Sequence, residues 1–154
     1  MIKLIKFDVT KVEHITLKDK INDDLSIKNN VLTLGYIDNN AYVINIDNLN
    51  IGLIKINEEQ KDSYSIDMGI LKEYQNKHYG TKSLIETLKI IEKNNWNKII
   101  LRTSSSNEKA IKSAFNANFY FDIDEVEKCI DEGNDYIVLS RTNPNYKNKV
   151  KIKT

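Results

Sequence analysis

The chain has 154 residues, 40% of them hydrophobic and 29% charged, with a formal net charge of +1, which describes one globular domain able to bury a core. The balanced charge offers no field for nucleic acid or an anionic membrane. Arg102 and Arg141 are the only arginines, so the planar fork that reads phosphates and base edges is scarce, and no nucleic-acid or membrane partner is expected. A lone cysteine, Cys129, excludes an intramolecular disulfide and fits a reducing, cytoplasmic setting. No motif surrounds it, so packing is a simpler reading than catalysis.

The opening "MIKLIKF" reads as a strand, too short and interrupted for a signal peptide, and no segment approaches a membrane span. "TKVE" (10–13) has capping-box spacing, with Thr10 as the cap and Glu13 reaching back. It predicts a short helix with Val12 and Ile15 on one face. Four apolar runs follow: "VLTLGYI" closed by "DNN", "AYVINI" by "DNLN", "IGLIKI" by "NEEQKD", and "SYSIDMGIL". Short β-rich runs broken by Asn, Asp and Gly predict an antiparallel meander.

After Gly80 the period changes, with Leu84, Leu88 and Ile91 recurring at helical spacing. "NKIILRT" is a compact buried strand. "SSNE" (105–108) is a second capping box, opening a helix over "KAIKSAFNAN". "FYF" and "DYIVLSR" supply the last strands, with a short helix around Val126, Cys129 and Ile130 between them. The order predicts a single α/β (α+β) domain over 1–142, a mixed and mostly antiparallel sheet with helices packed on it. The tail 143–154, which holds the only proline, Pro144, is expected to be loosely held. Heavy use of Asn, Lys and Ile suggests an A/T-rich, bacterial genome.

Between strand and helix lies "KEYQNKHYGTKSL" (72–84). "GTKS" is not the end of a Walker A loop, because Gln75 stands where the upstream glycine belongs. Residues 75–80 hold one glycine, too few for a dinucleotide fingerprint. What remains is a polar turn before a helix start, where unpartnered N–H groups and the helix dipole favour an anion, with Lys77 and Lys82 adding charge. On these residues alone, an anion site and a tight β-to-α connection are equally good readings.

With its flanks, "MGILKEYQNKHYGTKSL" resembles the acyl-CoA loop of the GNAT superfamily of N-acyltransferases. There a strand of the form ɸ-x-P-E-Y runs into Gln/Arg-x-x-Gly-x-Gly/Ala and a helix. Gln75 matches the first position and Gly80 the last, while Lys72 replaces the proline and His78 the first glycine. "NEKAIKSAFNANF" is similar to the family's N-x-x-A-ɸ-x-x-Y-x-x-x-G-F segment through Asn107, Ala110, Ile111 and Phe119. Ala114 stands in place of the tyrosine and Asn118 in place of the glycine. The resemblance covers residues 41–141.

The resemblance implies that the fourth and fifth core strands splay apart. Backbone groups around Ile70 and Leu71 would take the pantetheine arm of acetyl-CoA, the cosubstrate, and one of their amides could stabilise the oxyanion. The pyrophosphate would rest on amides of Gln75, Asn76, Lys77, His78, Tyr79, Gly80 and Thr81, with Asn107 near the pantetheine or the thioester. Held chiefly by amides, it would tolerate His78, a residue type enriched at positive φ at a cost of about 1–2 kcal/mol.

The implied reaction is transfer of acetyl to a primary amine of a small molecule or protein, by direct attack in a ternary complex and without a metal. Asp67, in "DMG", is the candidate base; a solvent-facing strand aspartate is the plainer alternative. Glu58 and Glu59 are weaker candidates, and His14 reads as structural. In many members the tyrosine at the Ala114 position is the general acid, and it is absent here. The stripe Ala110, Ala114, Ala117 is either close packing or an enlarged pocket. The acidic run 122–135 is either a solvated face or, beside the acceptor, a lure for cationic amines. The rival function is a non-catalytic acyl-CoA-binding sensor or interaction module; a homodimer is left open.

Overall fold

A computed structural model of the chain describes residues 1–29, 40–133 and 136–147. In chain order these form β1 (Ile2–Lys6), α1 (Val12–Asn29), β2 (Ala41–Ile46), β3 (Leu49–Gln60) and β4 (Ser63–Ile70). A 3₁₀ turn (Lys72–Tyr74) leads to α2 (Tyr79–Ile91), β5 (Lys98–Ser104), α3 (Glu108–Asn116), β6 (Tyr120–Phe121), α4 (Ile123–Asp131) and β7 (Tyr136–Thr142). The strands make one sheet in the order β1-β2-β3-β4-β5-β7-β6. Every neighbouring pair is antiparallel except β4 and β5.

Asparagine and aspartate do the turning in this glycine-poor chain. Asp47 and Asn48, at φ 49° and 66°, close the two-residue hairpin between β2 and β3, the geometry that matches strand twist. Asp62, at φ 64°, turns β3 into β4 beside a bulge between Glu58 and Gln60. These are the residue types whose short polar side chains tolerate the left-handed region.

Both faces of the sheet are covered, which is why "AYVINI" and "IGLIKI" read as near-continuous apolar runs instead of clean alternation. On one face Ile44, Ile54, Ile66, Ile99 and Leu139 pack with Leu84, Leu88 and Ile91 of α2, with Ala114 of α3 and with Ala117 just past its end. On the other, Leu17 and Ile21 of α1 cover Val43, Leu53 and Leu71. On that same face Cys129 of α4 packs with Ile100 and Val138.

Several expectations change. The strand expected at "VLTLGYI" lies outside the described residues. Helix α1 is long, and Thr10 does not cap it: its amide and hydroxyl both donate to Asp8 Oδ1, at 2.9 and 2.6 Å. The first turn closes instead through Ile15 N to Lys11 O. Its buried face is His14, Leu17 and Ile21, while Val12 is 76% exposed. His14 is structural, its Nδ1 accepting from Asp8 N at 3.0 Å and its ring tilted on Phe7. Asn107, rather than Ser105, caps α3, accepting from Ala110 N at 3.2 Å.

The segment 143–147, placed by the sequence in a loosely held tail, is tied back. Asn143 donates to Trp96 O at 2.8 Å, Asn95 to Lys147 O at 3.1 Å, and the Tyr146 hydroxyl to Asp62 at 3.0 Å. The acidic run is also structural in part. Asp122 caps α4 by accepting from Glu125 N, receives the Ser140 hydroxyl, and pairs with Lys98 at 2.6 Å.

Candidate active site

The central pair of strands comes apart. Parallel pairing of β4 with β5 covers only Ser63, Tyr64 and Ser65 against Lys98, Ile99 and Ile100. Each strand keeps its outer partner beyond that point, β4 to β3 as far as Ile70 and β5 to β7 as far as Ser104. A fork therefore opens between 66–70 and 101–104, lined by backbone. The Leu71 N–H donates to Ile51 O at 2.8 Å, toward β3. Strand alternation then turns the N–H groups of Ile70 and Met68 the other way, into the gap.

Leu71, expected to offer free backbone groups, has both engaged: its N–H by Ile51 and its carbonyl by Tyr74 N at 2.9 Å. Its side chain is buried under α1. The Ile70 carbonyl, which faces the gap, accepts from Gln75 Nε2 at 2.9 Å. Gln75 thus braces the loop against the end of β4, a role that the sequence did not suggest.

At the mouth of the fork the loop places Asn76 at φ 67° and His78 at φ 64°, both left-handed, with Lys77 between them. Asn76, Lys77 and His78 are exposed; Tyr79, Gly80 and Thr81 are half-buried. Helix α2 begins at Tyr79 with no side-chain cap. Its hydrogen bonding starts with Lys82 N to His78 O, which leaves the amides of 79–81 without helical partners. Gly80 is not at positive φ, and a Cβ there would meet Ser113 Oγ at 3.7 Å and Ile70 Cδ1 at 3.8 Å, ordinary contacts. Neither strain nor crowding demands glycine here.

Beside the fork, the α1 face of the sheet carries a polar strip between the cores under α1 and α4. Asp67 lies across from Lys55, and Asn57 across from Ser65. Asn57 Nδ2 donates to Asp67 Oδ2 at 3.0 Å. Arg102, two residues past the last β5 residue paired with β4, holds Glu59 through both terminal guanidinium nitrogens. Burial pushes the Asp67 carboxyl up from its ordinary range, while Asn57, Lys55 and Arg102 oppose the rise and Glu59 adds to it. Of the carboxylates weighed from sequence, Asp67 is thus the one set beside the fork in a built polar environment, and Glu59 is spent on Arg102. Asn57, Ser65 and Arg102 carried no motif; only strand register joins them.

Asn107 lies three residues beyond β5, its side-chain oxygen used as the α3 cap. Ala114 and Ala117 are buried in the main core, which favours close packing over an enlarged pocket at the missing tyrosine. Among the described residues no group of three or more His, Cys, Asp or Glu could hold a metal. No described helix is long and apolar enough to cross a membrane.

The parallel pair β4 and β5 is thus forked, and its mouth lies beside the start of α2, which carries no side-chain cap. The chain belongs to the GNAT acetyltransferase family, whose model, described as "Acetyltransferase (GNAT) family", matches residues 12–114. No curated protein matches it significantly. Solved structures share the fold at low identity. The GNAT-family acetyltransferase from Bacillus anthracis superposes with a TM-score of 0.71 at 15% identity, covering 92% of this chain and 94% of that one. The protein yncA from Salmonella typhimurium, solved with its cofactor acetyl-CoA, gives 0.72 at 10%, covering 98% and 99%. The N-acetyltransferase PseH from Campylobacter jejuni, in complex with acetyl coenzyme A, gives 0.64 at 18%, covering 93% and 99%.

The two positions where family glycines are replaced now have a shared cause. His78 and Asn118 both sit at φ 64°, a region glycine enters freely and these side chains tolerate. At Asn118 the α3 helix ends in a Schellman motif, with Phe119 N reaching Ala114 O at 2.9 Å and Asn118 N reaching Phe115 O at 3.0 Å.

Proposed function

We propose that this protein transfers an acetyl group from acetyl-CoA to a primary amine of a small molecule or a protein, by direct attack while both are bound. The observation that carries this reading is the fork between β4 and β5 ending at the uncapped start of α2. The amides of 75–81 would hold the pyrophosphate, and the gap-facing groups of Ile70 and Met68 the pantetheine and thioester. The acetyl-CoA bound to yncA and PseH supports this choice of cosubstrate.

In the reaction the amine nitrogen bonds to the thioester carbonyl carbon and the C–S bond breaks. The amine proton passes to Asp67, directly or through one water. A carboxylate whose affinity for protons is raised by burial is a better base than one in water. CoA departs as thiolate, which a thiol pKa of about 8.5, by analogy with cysteine, allows. Lacking a general acid forfeits about 10²–10⁴ in rate, whereas holding two reactants in line supplies as much as about 7–11 kcal/mol. Orientation outweighs the missing acid. The buried free Cys129 accords with work in a reducing compartment, the cytoplasm.

Calorimetry with acetyl-CoA and a thiol-release assay over a panel of amines test the proposal. Binding with turnover on at least one amine is expected. The alanine at 114 favours one second reading, a non-catalytic acyl-CoA sensor, which binding without turnover on any amine would support. No binding would refute both.

A further inference from the structure

A chain of side-chain amides runs beside the fork without touching the loop. Asn40 is anchored just before β2, its carbonyl accepting the Ile56 N–H at 2.9 Å. Its Nδ2 donates to Asn57 Oδ1 at 3.1 Å. Asn57 Nδ2 donates in turn to Asp67 Oδ2 at 3.0 Å and lies 3.4 Å from Ser65 Oγ. Because Asn57 pairs with Ser65 and Lys55 with Asp67, Asn57 reaches Asp67 along the diagonal of one sheet face. The carboxamide has one workable orientation. Flipping it would set its nitrogen against the Asn40 nitrogen and its oxygen against the Asp67 carboxylate.

Resting on the role given above to Asp67, we propose that Asn57, locked by Asn40, is a positioning residue that orients the Asp67 carboxylate for proton transfer from the acceptor amine. Asn57 occupies one carboxylate oxygen and leaves the other for the proton. Lys55 on β3 and Arg102 on β5 add positive charge nearby, Glu59 on β3 adds negative charge, and burial works against ionisation. The hydrogen bond from Asn57 belongs to the ionised form, so it sets both the direction of the base and the pH at which it is ready.

The test is Asn57→Leu, which keeps the branched shape and removes the amide, with Asn40→Ala as a second variant that leaves Asn57 in place without its lock. Carboxyl NMR of the folded protein reads the Asp67 titration directly. Thiol release against pH reads its consequence, and acetyl-CoA calorimetry serves as the control. In Asn57→Leu the Asp67 titration is expected to move to higher pH. On the acidic limb kcat/KM should drop about tenfold relative to its high-pH plateau, with acetyl-CoA affinity unchanged. Asn40→Ala should move both readouts the same way by less. An Asp67 titration unmoved in both variants overturns the proposal. A titration that moves while the pH–rate profile stays put also overturns the positioning role, and locates the failure in Asp67 as base, not in acetyl-CoA binding. If the wild type turns over no amine, the transferase reading fails and the positioning role with it, whatever the titration shows.

Discussion

Replacing Gly52 by alanine presses on the fork from behind. Gly52 lies on β3 opposite Ile70, and a Cβ built there would stand 2.5 Å from the Gly69 carbonyl oxygen, 3.2 Å from Ile70 Cα and 3.1 Å from Ile44 Cδ1. Ile44 can turn its terminal methyl aside, but the other two contacts are backbone. Carbon–oxygen contacts settle near about 3.3 Å, so β3 and β4 must part by most of an ångström. Overpacking costs about 1–3 kcal/mol, and two rigid neighbours put this case near the upper end. Losing glycine's freedom in the unfolded chain returns about 0.4–1 kcal/mol. A net loss of about 2 kcal/mol lowers the melting temperature by about 4–8 °C for a domain of this size. The displaced residues, Gly69 and Ile70, end the strand that lines the gap, so acetyl-CoA affinity should fall together with stability. Thermal unfolding and calorimetric titration read the two effects. A Gly52→Ala protein melting within a degree of the wild type, with unchanged affinity, would refute the reasoning.

Gly80→Ala should separate the same two quantities: alanine gains about 0.8–1.0 kcal/mol in a helix, so the protein melts higher, while a methyl among the amides of the α2 start weakens acetyl-CoA by at least about tenfold. Equal affinity in a more stable protein would mean that the pyrophosphate lies elsewhere. His78→Gly should leave affinity within about tenfold, or 1.4 kcal/mol, since backbone carries the site; a far larger loss in the titration would make the imidazole a ligand. Asp67→Asn should reduce thiol release about 10²–10⁴-fold. Its stability has a pH signature, because a carboxyl raised on folding holds its proton longer in the native state. The wild type therefore loses that contribution as pH climbs from the ordinary aspartate range through the raised value, and the variant does not. The melting temperature of Asp67→Asn should gain on the wild type from acid to neutral pH, and a constant difference would contradict the raised carboxyl.

What the sequence announced is what neighbours along the chain decide. Helical spacing of Leu84, Leu88 and Ile91 placed α2, the pairs Asp47–Asn48 and Lys61–Asp62 punctuated the meander, and the change of period after Gly80 marked where the loop gives way to helix. Errors arose where short polar side chains had several local partners to choose from. Thr10 had cap spacing but donates to Asp8, and Ser105 had cap spacing but yields to Asn107. Spacing alone does not rank such competitors, since each offers the backbone a similar bond.

The fork itself is not a local property. It exists because β4 and β5 each hold a better partner on the outer side, β3 through eight residues of β4 and β7 through all seven of β5, while 66–70 and 101–104 are left facing each other. No window of sequence contains both strands. The polar strip follows from that arrangement. A side chain on the α1 face at positions 57, 67 or 102 falls between the cores under α1 and α4, and so can stay polar without breaching either one. This explains why Asp67 could be singled out but not distinguished from a solvent-facing aspartate. Its environment is made by Asn40, Asn57 and Arg102, which register brings from 10 to 35 residues away. The arrangement divides the labour of the sheet: one face is closed by α2 and α3 over the largest core, while the other carries two smaller cores with the polar strip between them. Substitutions on the first face should act on melting, and those on the strip should act on the pH dependence of turnover.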